Sequence, residues 1–177
     1  ILQPASLLPA ITTAVTVDAY SQPGAVANTG ADAHNAVLQI HLDAGPGIFG
    51  PGFTVTDRDS VIRGFAITGF GPGVALRGTN NAVTGCWIGL RPDGSARGNT
   101  YGVFIDQAAD NRVGGTDAAE RNVISDNGQG GILVTGSPGC VIAGNLIGTD
   151  PSGVSARPNE RNGIMLQSAG GAVIGGT

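Results

Sequence analysis

The chain has 177 residues, a length suited to one domain, and a formal net charge of −4 in which all nine basic residues are Arg. With no Lys, no basic run and no apolar stretch near the ~20 residues of a membrane-spanning helix, neither nucleic acid nor a membrane span is expected. Apolar residues make up 41 % of the chain and aromatics 5 %, and the 31 glycines are too aperiodic for collagen.

Residues 1–52 read as an irregular N-terminal lead-in and cap with the first turns. Ile1 to Ile11 sets Pro4 and Pro9 among apolar residues. Ala14-Val15-Thr16-Val17-Asp18 alternates and predicts a strand. Ser21 to Asn35 is a long loop of small residues. Val37 to Asp43 alternates again, with Leu38, Ile40 and Leu42 on one side and Gln39, His41 and Asp43 on the other. Two Gly-Pro-Gly turns follow, at Gly45 and Gly50. The chain opens at Ile1, without Met or a signal peptide, and is expected to be a piece of a longer chain or a mature form.

Residues 53–177 are regular. A short strand of the form Gly-apolar-x-apolar starts at Gly73, Gly102, Gly131 and Gly163. A second ends on Gly at Val61-Ile62-Arg63-Gly64, Ala82-Val83-Thr84-Gly85, Arg112-Val113-Gly114-Gly115, Val141-Ile142-Ala143-Gly144 and Val173-Ile174-Gly175-Gly176. A third follows at Phe65-Ala66-Ile67, Cys86-Trp87-Ile88, Asn122-Val123-Ile124 and Asn145-Leu146-Ile147. At larger scale, Gly85, Ile88, Gly89, Pro92 and Gly94 reappear 59 residues on (144 − 85) as Gly144, Ile147, Gly148, Pro151 and Gly153. The Gly114-Gly115-Thr116 triplet reappears as Gly175-Gly176-Thr177. Three short strands per repeat cannot bury their own apolar side chains, so the repeats must stack on a shared core. The expected fold is all-β: a single-stranded right-handed parallel β-helix of about six turns. Ala118 to Arg121 has room for at most one helical turn.

The segments GNLIGTDPSG, NRVGGTDAAERNVISDNGQGGI and TVDAYSQPGA resemble bacterial right-handed parallel β-helix repeat proteins of the pectate-lyase-like superfold. The resemblance covers nearly the whole chain and implies the fold. Related β-helices include pectin and alginate lyases, polygalacturonases, epimerases, tailspikes and cell-surface proteins, so it does not choose an activity. It also implies an internal Asn ladder just after the second strand's Gly. Asn122 and Asn145 fit that slot, whereas Phe65 and Cys86 occupy it earlier, which predicts a short ladder beneath an apolar upper core.

Cys86 and Cys140 fall two turns apart, roughly 9.6 Å at ~4.8 Å per strand, too far for a disulfide. The candidate catalytic set is Asp57, Asp59, Arg77 and Asp106, which share one corner of successive turns. A β-helix lyase needs carboxylates to hold Ca²⁺ or neutralise an acidic sugar and a base near the α-proton. The alternative is that Asp and Asn cap tight corners through side-chain bonds to the backbone. No cofactor is expected; Ca²⁺ enters only with the lyase reading. The loops at Pro92 and Pro151 offer too few oxygens for a calcium loop and read as Pro-centred turns. Lone His34 and His41, and Gly clusters that precede strands, carry no site.

The remaining candidate is an outer face. The x residues of the first strand, Ala75, Phe104, Leu133 and Met165, point outward in one column, beside Arg77, Asp106, Thr135 and Gln167. The third strand has its own outward column, Ala66, Trp87, Val123 and Leu146. Such columns mark a contact with another chain or a glycan, or else a face covered by the chain's own loops. The expected function is a structural, adhesive domain of a secreted or cell-surface bacterial protein, not an enzyme. Its partner is another protein chain, a further segment of the same chain, or a polysaccharide. The alternative is a lyase or glycoside hydrolase acting on an acidic polysaccharide.

Overall fold

The computed structural model describes residues 1–175, and Gly176 and Thr177 of the second Gly-Gly-Thr triplet lie outside them. Strands come in threes. The first three are β1 (Thr16–Asp18), β2 (Ile40–Asp43) and β3 (Phe53–Val55). They are followed by β4 (Val61–Arg63), β5 (Phe65–Thr68) and β6 (Pro72–Leu76), and by β7 (Ala82–Thr84), β8 (Trp87–Ile88) and β9 (Tyr101–Asp106). Next come β10 (Arg112–Gly114), β11 (Val123–Ile124) and β12 (Gly130–Thr135), then β13 (Val141–Ala143), β14 (Leu146–Ile147), β15 (Asn162–Gln167) and β16 (Val173–Ile174). Successive strands visit three sheets in rotation. Sheet I has the order β1-β4-β7-β10-β13-β16, sheet II β2-β5-β8-β11-β14 and sheet III β3-β6-β9-β12-β15. Every strand pairing is parallel. Among the described residues the only helical pieces are one-turn 3-10 segments at Ala19–Ser21 and Ala118–Glu120, and no helix is long and apolar enough to cross a membrane.

The predicted strands are present with their expected phases. In sheet III, Val103, Ile132 and Ile164 are in register, as are Ile105, Val134 and Leu166. In sheet I, Val83, Val113, Ile142 and Ile174 form one ladder. These rows meet Ile67, Ile88 and Ile124 of sheet II in one core, where Leu76, Val83, Ile88, Ile105 and Ile124 are fully buried. Each short strand has one or two inward side chains, so the core exists only because consecutive repeats stack. Cys86 and Cys140 sit in this core as free, buried thiols, with burial pushing the Cys86 thiol up to about 12 and raising that of Cys140.

The corners are held by polar side chains. The predicted ladder forms: Asn122 Nδ2 donates to Asn145 Oδ1 at 2.8 Å, and the Cys86 N–H donates to Asn122 Oδ1 at 2.9 Å. It ends there, with Cys86 and Phe65 in the slots above, as expected. A longer ladder stands at the corner leading into sheet III. The Phe70 N–H donates to Asn99 Oδ1, Asn99 Nδ2 to Asn127 Oδ1 and Asn127 Nδ2 to Asn159 Oδ1, over 3.0, 3.0 and 2.9 Å. At the third corner the Ser60 N–H reaches Asn81 Oδ1 and the Asn81 N–H reaches Asn111 Oδ1, both at 2.8 Å. The N–H groups of Ser60, Phe70, Asn81 and Cys86 bond these amides rather than a backbone carbonyl, and a buried orphan N–H would cost ~1–3 kcal/mol, so the amides supply the bonds that the ladders do not.

The loop of small residues, Ser21 to Asn35, continues with Ala36–Gln39 as a strap over the outside of sheet II. Ala36 and Leu38 pack on Ala66, Trp87, Leu90 and Val123, with Tyr20 and Leu146 at the margin. Leu38 therefore serves the outer cover, whereas Leu42, which the alternation set on the same side, lies in the core. The strap is pinned where Asn28 Nδ2 donates to the Ala118 carbonyl at 2.8 Å and where the His34 N–H donates to the Pro151 carbonyl at 2.7 Å.

Candidate functional site

The corner carrying Asp57, Asp59, Arg77 and Asp106 is built from left-handed backbone. Asp59, Asn80 and Asp110 have φ of 60°, 56° and 60°. Their N–H groups bond the next repeat, to the carbonyls of Thr79, Ala109 and Pro138. Asp and Asn tolerate this conformation better than other non-glycine residues, which explains their recurrence here. Arg77 Nε lies 3.6 Å from Asp106 Oδ2 and Arg58 Nε 3.6 Å from Asp59 Oδ2, while Asn80 Nδ2 donates to Asp59 Oδ1 at 2.7 Å. Asp57 contributes its carbonyl oxygen, which accepts from Asn81 Nδ2 at 2.9 Å. The structure thus brings Arg77 and Asp106 together as a pair. Asp59 is tied instead to Asn80 of the next repeat and to Arg58, and Asp57 enters the corner through its backbone carbonyl. Among the described residues no group of three or more His, Cys, Asp or Glu converges as a metal site.

The two proline loops are Pro-centred turns. The Gly94 N–H donates to the Arg91 carbonyl and the Gly153 N–H to the Asp150 carbonyl, each at 2.9 Å. Asp93 Oδ1 accepts from the Ser95 hydroxyl at 2.6 Å, and Asp150 Oδ1 from the Ser152 hydroxyl at 2.6 Å. These bonds hold both carboxyls below the usual range.

The outer columns differ from each other. On sheet III, Phe104, Leu133 and Met165 stand in register and are half-buried, with the Tyr101 ring 6.4 Å from that of Phe104. Ala75 belongs to that column but is fully buried: its methyl lies between Thr54 and Phe104 in the ladder, and it adds nothing to an exposed stripe. On sheet II the expected open column is covered. Trp87 is 8 % exposed and Ala66 and Val123 are fully buried, because the strap lies over them; Leu146, at the margin, is half-buried. The Trp87 Nε1–H donates to His34 Nδ1 at 2.9 Å, and His34 Nε2 is 2.9 Å from the Arg121 carbonyl. Accepting at Nδ1 and donating at Nε2 fixes His34 as the neutral Nε2–H tautomer. Burial lowers its pKa to about 4.

One buried polar cluster lies outside every predicted set. His41 and Asp43 face away from the core side of β2, and Thr68 follows in β5 opposite Asp43. The Thr68 hydroxyl donates to Asp43 Oδ1 at 2.7 Å, so its lone pair accepts from His41 Nε2–H at 2.7 Å. Arg97 Nε and Gln3 Nε2 complete the shell of Asp43. Burial works against the Asp43 carboxylate, but the bonds from Arg97, Thr68 and Gln3 outweigh it and hold its carboxyl below the usual range. Because the hydroxyl proton points at a carboxylate, Thr68 is held rather than activated. The cluster ties the lead-in, β2, β5 and the loop after β8 together. The alternation of Val37 to Asp43 carried the signal, since it set His41 and Asp43 on one side.

Comparison with family models, with curated proteins and with solved structures finds nothing that matches this chain.

Proposed function

We propose that the three sheets wind as a right-handed single-stranded parallel β-helix, and that the chain is a structural, adhesive domain of a secreted or cell-surface bacterial protein. Its contact face is the outside of sheet III, where a partner protein chain lies along Phe104, Leu133 and Met165. The observation that carries this reading is the contrast between two walls of one core. Sheet II has its apolar outer column sealed by the strap, whereas the matching column on sheet III is left half-buried beside the Arg77–Asp106 pair. Adjacent apolar side chains on a flat face are costly to leave in water and mark contact surfaces. The charged corner lends less to a lyase, because Asp59 is committed to Asn80 and Arg77 to Asp106.

The test joins both readings. The Phe104→Ser/Leu133→Ser double variant should keep the far-ultraviolet spectrum and melting profile, since neither side chain fills the core. In pull-downs from a bacterial envelope fraction, a partner retained by the native chain should be lost by the variant. Equal retention by both would remove the face from consideration. Incubation with pectin and with alginate, followed by ultraviolet absorbance of unsaturated product, should show no rise; a rise that Arg77→Ala abolishes would establish the lyase instead.

A further inference from the structure

The strap over sheet II holds its own shape. The Val26 N–H donates to the Val37 carbonyl at 3.0 Å and the Val37 N–H to the Val26 carbonyl at 2.9 Å, so the base of its tip is paired as a short hairpin. Inside the tip the Asn35 N–H donates to Asn28 Oδ1 at 2.8 Å and the Thr29 N–H to Asn35 Oδ1 at 2.9 Å. These bonds begin and end within the strap, so lifting it from the sheet breaks none of them.

What fastens the strap to the body is a small apolar patch and a few polar bonds. Ala36 and Leu38 rest on Ala66, Trp87, Leu90 and Val123. Asn28 Nδ2 donates to the Ala118 carbonyl at 2.8 Å, and Arg121 Nη1 reaches the Gly30 carbonyl at 3.4 Å. His34 supplies the rest. Its N–H is bonded to the Pro151 carbonyl, and its ring stands edge to face with Trp87, centroids 5.8 Å apart at 72°. The ring accepts from the indole at Nδ1 and donates to the Arg121 carbonyl at Nε2, an arrangement open to the neutral ring alone. A proton at Nδ1 would face the indole N–H across 2.9 Å, donor against donor. The Arg121 guanidinium opposes the added charge. Around the strap, Asp32 and Asp117 are exposed, Glu120 pairs with Arg112, Asp150 is bonded to Ser152 and Arg91 is turned to Ser95, and none of them moves the His34 titration.

We propose that the strap is an acid-sensitive cover: protonation of His34 lifts residues 26–38 from sheet II and uncovers the apolar column Ala66, Trp87 and Val123, while the three sheets stay paired. Sheet III, which carries the contact face, is a different wall and takes no part. In the lifted strap the His34 ring is in water and titrates near its ordinary 6.5, whereas burial in the closed strap lowers this to about 4. Lifting therefore binds protons and becomes easier as the pH falls through that window. The equilibrium constant for lifting should rise roughly 20-fold from pH 7 to pH 5 and roughly 100-fold by pH 4.

Hydrogen exchange of the full chain, followed by NMR and corrected for the intrinsic pH dependence of exchange, reads the lifting at the Trp87 indole N–H and the His34 backbone N–H. Trp87 is the single Trp of the chain, so its indole signal needs no assignment. At every pH, protection at these two sites should lie well below that of Ile132 and Val134 in sheet III and should be insensitive to low denaturant, as a local opening requires. From pH 7 to pH 5 it should fall roughly 20-fold, and His34→Gln should flatten that fall. Protection at Trp87 equal to that at Ile132 and Val134 would mean that the strap leaves only when the whole fold does, and would overturn the cover. A fall that persists unchanged in His34→Gln would overturn the role of His34. Should that variant fail to fold, the ring titration of His34 in the native chain decides: a midpoint at about 4 supports the cover, and one near 6.5 overturns it.

Discussion

At the residue scale the corner amides matter more than the apolar side chains they accompany. Asn127 lies inside the Asn99–Asn127–Asn159 ladder, fully enclosed and bonded on both sides. Its carboxamide also donates to the Ile88 carbonyl at 3.1 Å. Asn127→Ala orphans the buried Asn99 N–H, which donates to Asn127 Oδ1 at 3.1 Å, and takes one of the partners of Asn99 Nδ2, Asn159 Oδ1 and the Ile88 carbonyl, a buried orphan costing ~1–3 kcal/mol and each lost bond ~1 kcal/mol. A loss of about 3 kcal/mol or more is expected in denaturant unfolding. Asn145 is half-buried at its ladder's end, where water replaces part of what is lost, so Asn145→Ala should cost about 1 kcal/mol. Equal losses would mean that the ladders stabilise by packing alone. The same scale shows why Gly is fixed at position 89. Its φ is 100°, and a Cβ there would stand 1.9 Å from the Ser125 carbonyl oxygen of the next repeat.

At the scale of elements, the strap is the part most exposed to a change of solvent. His34 joins it to Trp87 and Arg121, and its Nδ1 must stay unprotonated to accept from the indole. In the unfolded chain the ring titrates near its ordinary 6.5; in the folded chain burial lowers this to about 4. Between those values the unfolded state binds more protons, so stability falls as the pH drops from 6.5 towards 4 and is fully present above 6.5. The difference corresponds to roughly 3 kcal/mol. Facing groups are the Trp87 indole, the Arg121 carbonyl and the Arg121 guanidinium, which opposes a second positive charge. Denaturant midpoints measured from pH 7 to 4, with Trp87 fluorescence as the readout, should decline more steeply for the native chain than for His34→Gln. Parallel declines would show that the strap is held without this contact. The strap is also where the sequence was least legible. The strands announce themselves through Gly-apolar-x-apolar, because a stacked core demands the same inward residue in every repeat. Ser21 to Asn35 has no such period, since it covers one wall once, and its small residues give no hint of which wall. The two unpredicted ladders were readable in principle, because Asn99, Asn127 and Asn159 recur at intervals close to the strand spacing. Their signal is a single residue per repeat, set in loops of unequal length.

At the scale of the whole molecule the two edges of the core are unlike. The N-terminal edge is bridged by the lead-in and anchored through the Gln3–Asp43 bond. Among the described residues the other edge is formed by β14, β15 and β16, each the last strand of its sheet. Side chains that continue the inward rows are open there: Leu166 is 40 % exposed and Ile174 51 %, although their ladder partners Val134 and Ile142 are buried. An edge that combines free backbone groups with apolar side chains invites strand pairing from another chain, and protein edges avoid this with charges or covering segments. The 177-residue chain should therefore associate as its concentration rises, with a sedimentation profile that shifts between low and high micromolar protein. Leu166→Lys and Ile174→Lys place inward charges on that edge and should hold the chain monomeric without unfolding it, because neither side chain is enclosed. Phe104→Ser, on the outer wall, should leave this association unchanged. If the outer-wall variant abolishes association and the edge variants do not, the face on sheet III is itself the site of self-pairing, and the exposed inward rows are tolerated in water.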